Sequence, residues 1–206
     1  MTMTLSSAPA LDALSDAGRS LLFTEARTAN TFADIPVTDA ELTQIWDLAK
    51  WAPTQANLQP LRVVYVQSPE ARARLVEHMS DGNKAKTLAA PAVAVLALDS
   101  RFHEHVSTVM PFMPQLEEVF EGNEDARIST ARLNSALQAG YFVLAVRAQG
   151  LAAGPMSGFD AAAFDADFFP DGRLKSFMVV NIGHPGEGAF RNRLPRLDAA
   201  QVVDFA

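Results

Sequence analysis

Across 206 residues the chain carries 17 lysines and arginines against 24 acids, a formal net charge of −7, and no cysteine. The acidic balance argues against a nucleic-acid partner, which asks for a basic face. The missing cysteine removes disulfide scaffolding and thiolate chemistry. The length suits one domain with a full core.

Met1 to Ala10 shows neither a cationic start nor a long apolar run, so it reads as a mobile tail and not as a secretory signal. No segment has the apolar length to cross a bilayer, so the expectation is a cytoplasmic protein without a membrane partner. Residues 1–20 form the tail and part of a first helix, and residues 21–206 form a single domain. Leu11 to Thr28 reads as that helix, with Leu11, Leu14, Leu21 and Leu22 as core positions. Arg27 and Asn30 close it, either as surface polar groups or with the Arg27 guanidinium forked onto a phosphate.

Thr38-Asp39-Ala40-Glu41 is a capping box that opens a helix through Leu42, Ile45, Trp46, Leu48 and Ala49. Pro53 ends it. The loop Pro53-Thr54-Gln55-Ala56-Asn57-Leu58-Gln59-Pro60 is dense in hydroxyl and amide groups, which can grip a heteroaromatic edge or a polyol, or simply face water. A strand follows over 61–67. Pro69 behind Ser68 starts a helix to about Met79. Asn83 and Lys86 share a face if the piece after it is helical. Pro91 to Leu98, a continuous apolar run, is a buried strand. Residues 99–124 read as short helices covering a cavity, with Phe102, Phe112, Met113 and Phe120 among His103, His105 and acids.

Asp125 to Gln149 carries the strongest helical pattern, with Leu133, Leu137, Tyr141, Leu144 and Ala148 on one stripe and Gly150 as its left-handed stop. Gly154-Pro155-Met156-Ser157-Gly158 reads as an irregular loop able to lay backbone N–H groups against a ligand, or as a plain strand-to-helix turn. Asp160 caps a helix to about Phe168, and Leu174 to Ile182 is a strand. The Pro- and Gly-rich end clusters Arg191, Arg193 and Arg196, a surface basic patch or an anion site. Ser157 adjoins Gly158, so there is no nucleophile elbow. Phosphate-loop and dinucleotide fingerprints are absent. His103 and His105 lack a third ligand, so no metal site is expected.

Taken together, these fragments resemble the FMN-dependent nitroreductase family, in order, from about residue 20 to the end. Arg27-Thr28-x-Asn30-x-Phe32 is similar to its N-terminal phosphate motif. Pro53-Thr54-Gln55-x-Asn57-x-Gln59-Pro60 is similar to its P-S-S-x-N-x-Q-P loop, with Gln55 replacing the second Ser and Leu61 replacing a frequent Trp. Asn83 and Lys86 resemble the pair that reaches the ribityl chain and the pyrimidine side of the flavin. Pro155-Met156-Ser157-Gly158 resembles the loop beside flavin N5, with Ser157 where Glu is frequent, and Arg191 and Arg193 resemble the basic phosphate pair. Trp51 to Asn57, Gly154 to Asp160, Leu174-Lys175-Ser176 and Arg193 to Leu197 look most like a branch of malonic semialdehyde reductases, similar to 3-hydroxypropionate dehydrogenases.

The resemblance implies an α+β fold, a mixed but mostly antiparallel sheet flanked by helices, in a domain-swapped homodimer with FMN at the subunit interface. It implies ping-pong hydride transfer from NADH or NADPH through flavin N5 to a small-molecule acceptor, with no side-chain nucleophile. Lys86 would stand near flavin N1–C2, the Thr54–Asn57 loop would serve the partner's flavin, and Arg101 is a candidate hold for an acceptor carboxylate. Three readings compete: a malonic semialdehyde type of aldehyde reductase, a broad nitro-, quinone- or enone-reductase, and a non-catalytic flavin-binding dimer.

Overall fold

Four strands frame the molecule, in a computed structural model that describes residues 11–206. The expected tail over residues 1 to 10 lies outside the described residues. The order in the sheet is β1 (Leu61–Tyr65), β2 (Ala92–Asp99), β4 (Leu174–Gly183), β3 (Ala152–Met156). All eight residues of β2 are buried, as its continuous apolar run requires of a central strand covered on both faces. Every pairing among the described residues is antiparallel, in keeping with the expected mostly antiparallel sheet flanked by helices. No helix among them is long and apolar enough to cross a membrane.

The two faces of the sheet sort the helices. Ala94 and Leu96 point to one side and pack with Leu42 and Ile45 of α2 (Asp39–Ala49) and Phe142 and Val146 of α7 (Glu124–Ala148). Val93 and Val95, alternating with them, pack on the other side with Leu75 of α3 (Pro69–His78) and Phe164 of α8 (Ala161–Phe168). Between α3 and β2 lies α4 (Asp81–Ala89). The 99–124 segment folds as α5 (Val106–Val109) and α6 (Leu116–Glu121) after a 3₁₀ turn at Phe102–His105. Phe102, Val106 and Phe120 form with Leu58 and Leu98 a third apolar cluster, whereas Phe112 is exposed. Thr38 caps α2 as expected, its Oγ1 accepting from Glu41 N while Glu41 Oε2 accepts from Thr38 N. Thr38→Ala removes a cap worth about 1 kcal/mol and should lower Tm by about 2–4 °C, measured by calorimetry.

Three expectations are corrected. The first helix is shorter than the apolar pattern: α1 (Asp16–Arg19) opens at the Ser15 cap and runs into a wider π turn over Ser20–Thr24. Leu11, Leu14 and Leu21 are exposed, because no element among the described residues covers them. On α7 the stripe of Leu133, Leu137 and Tyr141 also faces out, and the buried face holds Ala131, Asn134, Ser135, Gln138, Phe142 and Val146. Small residues and amides let α7 lie close to the sheet and to the loop after α2, and the leucines are left uncovered. Gly150, at φ +75°, ends that helix as expected.

Gly154 and Pro155, expected in an irregular loop, are strand residues, Pro155 opposite Val180. Proline is tolerated because β3 is an outer strand, where a missing N–H costs no inner ladder bond. The backbone of Ala29 crosses that edge, its N–H donating to Ala153 O at 3.1 Å, and a Cβ on Gly154 would stand 2.8 Å from Ala29 O. Only Gly permits this approach. A last short helix, α9 (Ala199–Val202), follows an extended stretch.

Candidate functional site

The Ala29 crossing brings the two ends of the chain together. Ala29 and Phe190 form a bridge, and Asn30 N donates to Ala189 O at 2.9 Å. A cavity of about 250 Å³ opens beside this join, lined by Arg27, Thr28, Asn30, Arg191, Arg193 and Arg196 with neighbouring backbone. Residues far apart in sequence thus form one cationic cleft. Arg27 donates from Nη1 to Arg191 O at 3.4 Å, and its Nε is buried without a partner. Arg193 donates to Thr24 O and Ala26 O, closing the carbonyl end of the π turn. Four guanidinium groups around one cavity suit a polyatomic anion. A second cavity, of about 460 Å³, lies on the other side of Arg27 against Leu21, Arg147, Ala153 and Phe190.

Further along the same sheet edge, β3 ends and Ser157-Gly158 meets α4. Asn83 Nδ2 donates to Gly158 O at 2.9 Å, and Ser80 N donates to the same carbonyl at 3.0 Å. A Cβ on Gly158 would stand 2.6 Å from Asn83 Nδ2, so a larger residue there would displace the Asn83 amide. The N–H groups of Ser157 and Gly158 find no protein acceptor among the described residues and are free to face a ligand. Asn83 and Lys86 lie three apart on α4, both half-buried. One turn on, Thr87 Oγ1 accepts from Asn181 Nδ2 at 3.3 Å, and Asn181, paired with Gly154, keeps a buried Oδ1 without a partner.

Arg72 of α3 fixes α4 from below. This buried guanidinium has no carboxylate partner among the described residues; it donates to Thr87 O at 3.1 Å, Ala90 O at 2.6 Å and Val66 O at 2.9 Å. Burial pulls its pKa below the usual arginine value, while the carbonyl end of α4 favours the cation.

The Pro53–Pro60 loop is placed elsewhere. Gln55 N donates to Asn134 Oδ1 at 2.7 Å, and Asn57 Nδ2 donates to Val109 O at 2.7 Å. Pro53, Gln55 and Asn57 are exposed, and Thr54 Oγ1 is buried without a partner. Ala56 and Asn57 both adopt positive φ, 50° and 54°, a strained pair for residues with a Cβ. The loop therefore rests on α7 and α5, which contribute nothing to the cationic cavity. Asn134 and Gln138, whose Oε1 accepts from Leu61 N at 3.0 Å, were missed as its supports. Two amides four apart inside an apolar helix were the available signal.

Arg101 is not free. Its Nε lies 2.6 Å from Glu104 Oε1, and the cavity beside it, about 690 Å³, is lined by Glu104, Glu117, Glu118 and Glu121. His103 Nε2 sits 2.6 Å from Glu121 Oε2, which holds that carboxyl below its usual range. No cluster of metal-binding side chains forms among the described residues. Beneath this segment the sequence reading missed Asp99, which is buried and held by Arg173 at 2.9 and 3.0 Å, by Arg62 at 2.7 Å and by Arg101 N at 2.9 Å. Burial pushes its carboxyl up, but the arginines and the N–H outweigh that and hold it below the ordinary range.

Comparison with known proteins agrees with this geometry. A model described as the nitroreductase family matches residues 24–184. A Streptomyces coelicolor protein, provisionally named NADH dehydrogenase/NAD(P)H nitroreductase, is 55% identical over 185 residues, covering 90% of this chain and 92% of its own. A solved Exiguobacterium sibiricum structure, provisionally named a nitroreductase and obtained in complex with FMN, superposes with TM-score 0.81 at 19% identity, covering 95% of this chain and 99% of that one. An enone reductase of gut-bacterial fatty acid saturation superposes with TM-score 0.77 at 21% identity, covering 94% and 99%. At such identities the superpositions establish the fold.

Proposed function

The chain belongs to the nitroreductase family, and from that membership we propose that it is an FMN-dependent NAD(P)H oxidoreductase acting on a small organic acceptor. The observation that carries this is the cationic cavity, where Arg27, Thr28, Asn30, Arg191 and Arg193 converge on the edge that also holds Ser157-Gly158 and Asn83. The residues fit FMN. The orphaned Arg27 Nε and the Arg191 side chain, unpaired among the described residues, suit its phosphate, and Lys86 and Asn83 suit the ribityl chain and the pyrimidine side. The missing side chains of Gly154 and Gly158 let the Ala29 backbone and the Asn83 amide pack against this edge, which fixes the elements that carry those groups. Bound FMN supplies a two-electron carrier that takes hydride from NADH or NADPH and passes it to the acceptor. The chain orients that group through Arg27, Arg191 and Arg193, offers the Ser157 and Gly158 N–H groups to the ring edge, and places Lys86 where added negative charge is stabilised. No nucleophilic side chain takes part. The purified protein should be yellow, and NADH or NADPH should bleach it without oxygen. A protein that stays colourless with added FMN ends this reading.

The working unit in this proposal is a domain-swapped homodimer. Leu133, Leu137 and Tyr141 form an exposed apolar stripe on α7, which also carries Ala136 and Gly140, small enough for close helix contact. The Pro53, Thr54, Gln55 and Asn57 loop then serves the partner's flavin, in keeping with its distance from the cationic cavity. Leu137→Glu should give a monomer with weakened FMN binding in sedimentation; a wild-type monomer that still holds FMN contradicts the arrangement.

The finer proposal for the acceptor is a small aldehyde acid such as malonic semialdehyde, reduced to 3-hydroxypropionate. Likeness over Trp51–Asn57, Gly154–Asp160 and Arg193–Leu197 supports it. A second reading, a broad nitro-, quinone- or enone-reductase, is favoured by the engagement of Arg101 with Glu104 in an acid-lined cavity, which offers a carboxylate no free cation. Steady-state kinetics decides: a kcat/KM for a nitroaromatic more than about tenfold above that for malonic semialdehyde replaces the first reading with the second.

A further inference from the structure

We propose that Asn181, buried in the sheet, is a positioning residue that sets how α4 presents Lys86 to the flavin, an inference that rests on the FMN reading above. Three segments that carry that reading meet on this side chain. Asn181 stands opposite Gly154 in the β3–β4 ladder. A Cβ on Gly154 would lie 3.5 Å from Asn181 Cβ and 2.8 Å from Ala29 O, so the Ala29 crossing passes on the same side of the sheet. On that side Asn181 Nδ2 donates to Thr87 Oγ1 of α4 at 3.3 Å.

Thr87 is the one buried residue of α4. Its hydroxyl oxygen is tied to Asn181 and its carbonyl to Arg72 Nη1 at 3.1 Å. Asn83 lies four residues earlier, on the same face, and its Nδ2 holds Gly158 O. Lys86 is next to Thr87, about 100° round the helix. The Lys86 ammonium makes no ion pair or side-chain hydrogen bond among the described residues, so its place follows the roll of α4 about its own axis. Asn181 costs stability where it stands. Val179, two residues before it on the same face, belongs to an apolar cluster, and Asn181 is 1% exposed with its Oδ1 shut from water and unpartnered among the described residues. An aliphatic side chain would remove that cost. The amide is accounted for by what its hydrogen bond does, and that bond ends on the helix that carries Lys86.

The test reads the midpoint potential of bound FMN by titration against a reference dye, which reports the ratio of affinities for reduced and oxidised FMN. Asn181→Leu with Thr87→Val replaces both partners by apolar groups of similar size, so Tm should change little. The helix then keeps its Arg72 tie and loses the one that fixes its roll. The preference for reduced FMN should fall about tenfold, a potential about 30 mV lower. Thr87→Val alone, the smaller change, should lower it in the same direction, and Thr87→Ser, which keeps the acceptor oxygen, should hold the wild-type value. In a Lys86→Met background the paired substitution should leave the potential where Lys86→Met alone puts it. An unchanged potential in the paired variant, or a fall of the same size with Lys86→Met present, overturns the proposal. A wild-type protein that takes up no FMN overturns the flavin reading and this proposal with it, so the two failures are told apart before any variant is measured.

Discussion

Replacing Arg27 and Arg193 together by alanine is expected to weaken FMN binding by a hundredfold or more. Each hydrogen bond between a guanidinium and a phosphate is worth about 1.5–3 kcal/mol, so either single variant should lose about tenfold or more. The two losses need not add, since both side chains serve one anion in one cavity. Arg193 also donates to Thr24 O and Ala26 O, so its removal loosens the π turn that leads to Arg27. Arg193→Lys separates the roles: it keeps the charge and loses the fork. The measurement is the flavin dissociation constant from fluorescence, with circular dichroism confirming that each variant is folded. An unchanged constant in the double variant removes the phosphate assignment.

Asp99→Asn is expected to cost about 3 kcal/mol of stability and to lower Tm by about 6–12 °C, because it leaves Arg62 and Arg173 around an uncharged buried group. The effect has a pH signature. The folded-state pKa of Asp99 is depressed, so its contribution is complete above the unfolded value of about 3.9 and is lost as pH falls through the lower folded value. Denaturant melts of wild type and variant should differ by a constant amount near neutrality and converge in acid. A gap that keeps its neutral value as pH falls well below the unfolded value contradicts the assignment.

Signals carried by a few neighbouring residues were legible in the sequence. The Thr38–Glu41 box, Pro69 behind Ser68, the Gly150 stop and the Asp160 cap each act through the backbone they sit on, and each is where it was expected. The eight-residue apolar run of β2 declared a central strand for the same reason. Apolar periodicity misled on α7, because it cannot say which of two apolar faces meets the same chain. Leu133 and Leu137 outrank Ala131 and Ala139 in hydrophobicity, yet the small residues and amides face in. Gly154 and Pro155 read as a loop because their strand is an edge strand, and edge position is a property of the sheet. The Asp99 network was invisible, since Arg173 lies 74 residues away. Of the site, the residue types were readable from motif likeness, and the structure joins Arg27, Thr28, Asn30, Arg191 and Arg193 in one cavity and Asn83 with Gly158. It keeps the Thr54–Asn57 loop apart from both and takes Arg101 into an ion pair.

The Arg72 guanidinium has a consequence for how the protein opens. The helix α4 spans nine residues and buries only Thr87, so by its own contacts it would unfold locally at low cost, and its amides would exchange with solvent quickly. Arg72 joins the last carbonyls of that helix to Val66 O, so lifting α4 away would break two of the hydrogen bonds that satisfy a buried cation. Local opening of α4 is thereby bound to the loss of α3 and the end of β1. In hydrogen-exchange experiments the α4 amides should be protected as a group with those of β1, and Arg72→Met should release them first. Asn83 and Lys86 are thus carried on a short helix whose opening is tied to that of α3 and the chain just past β1.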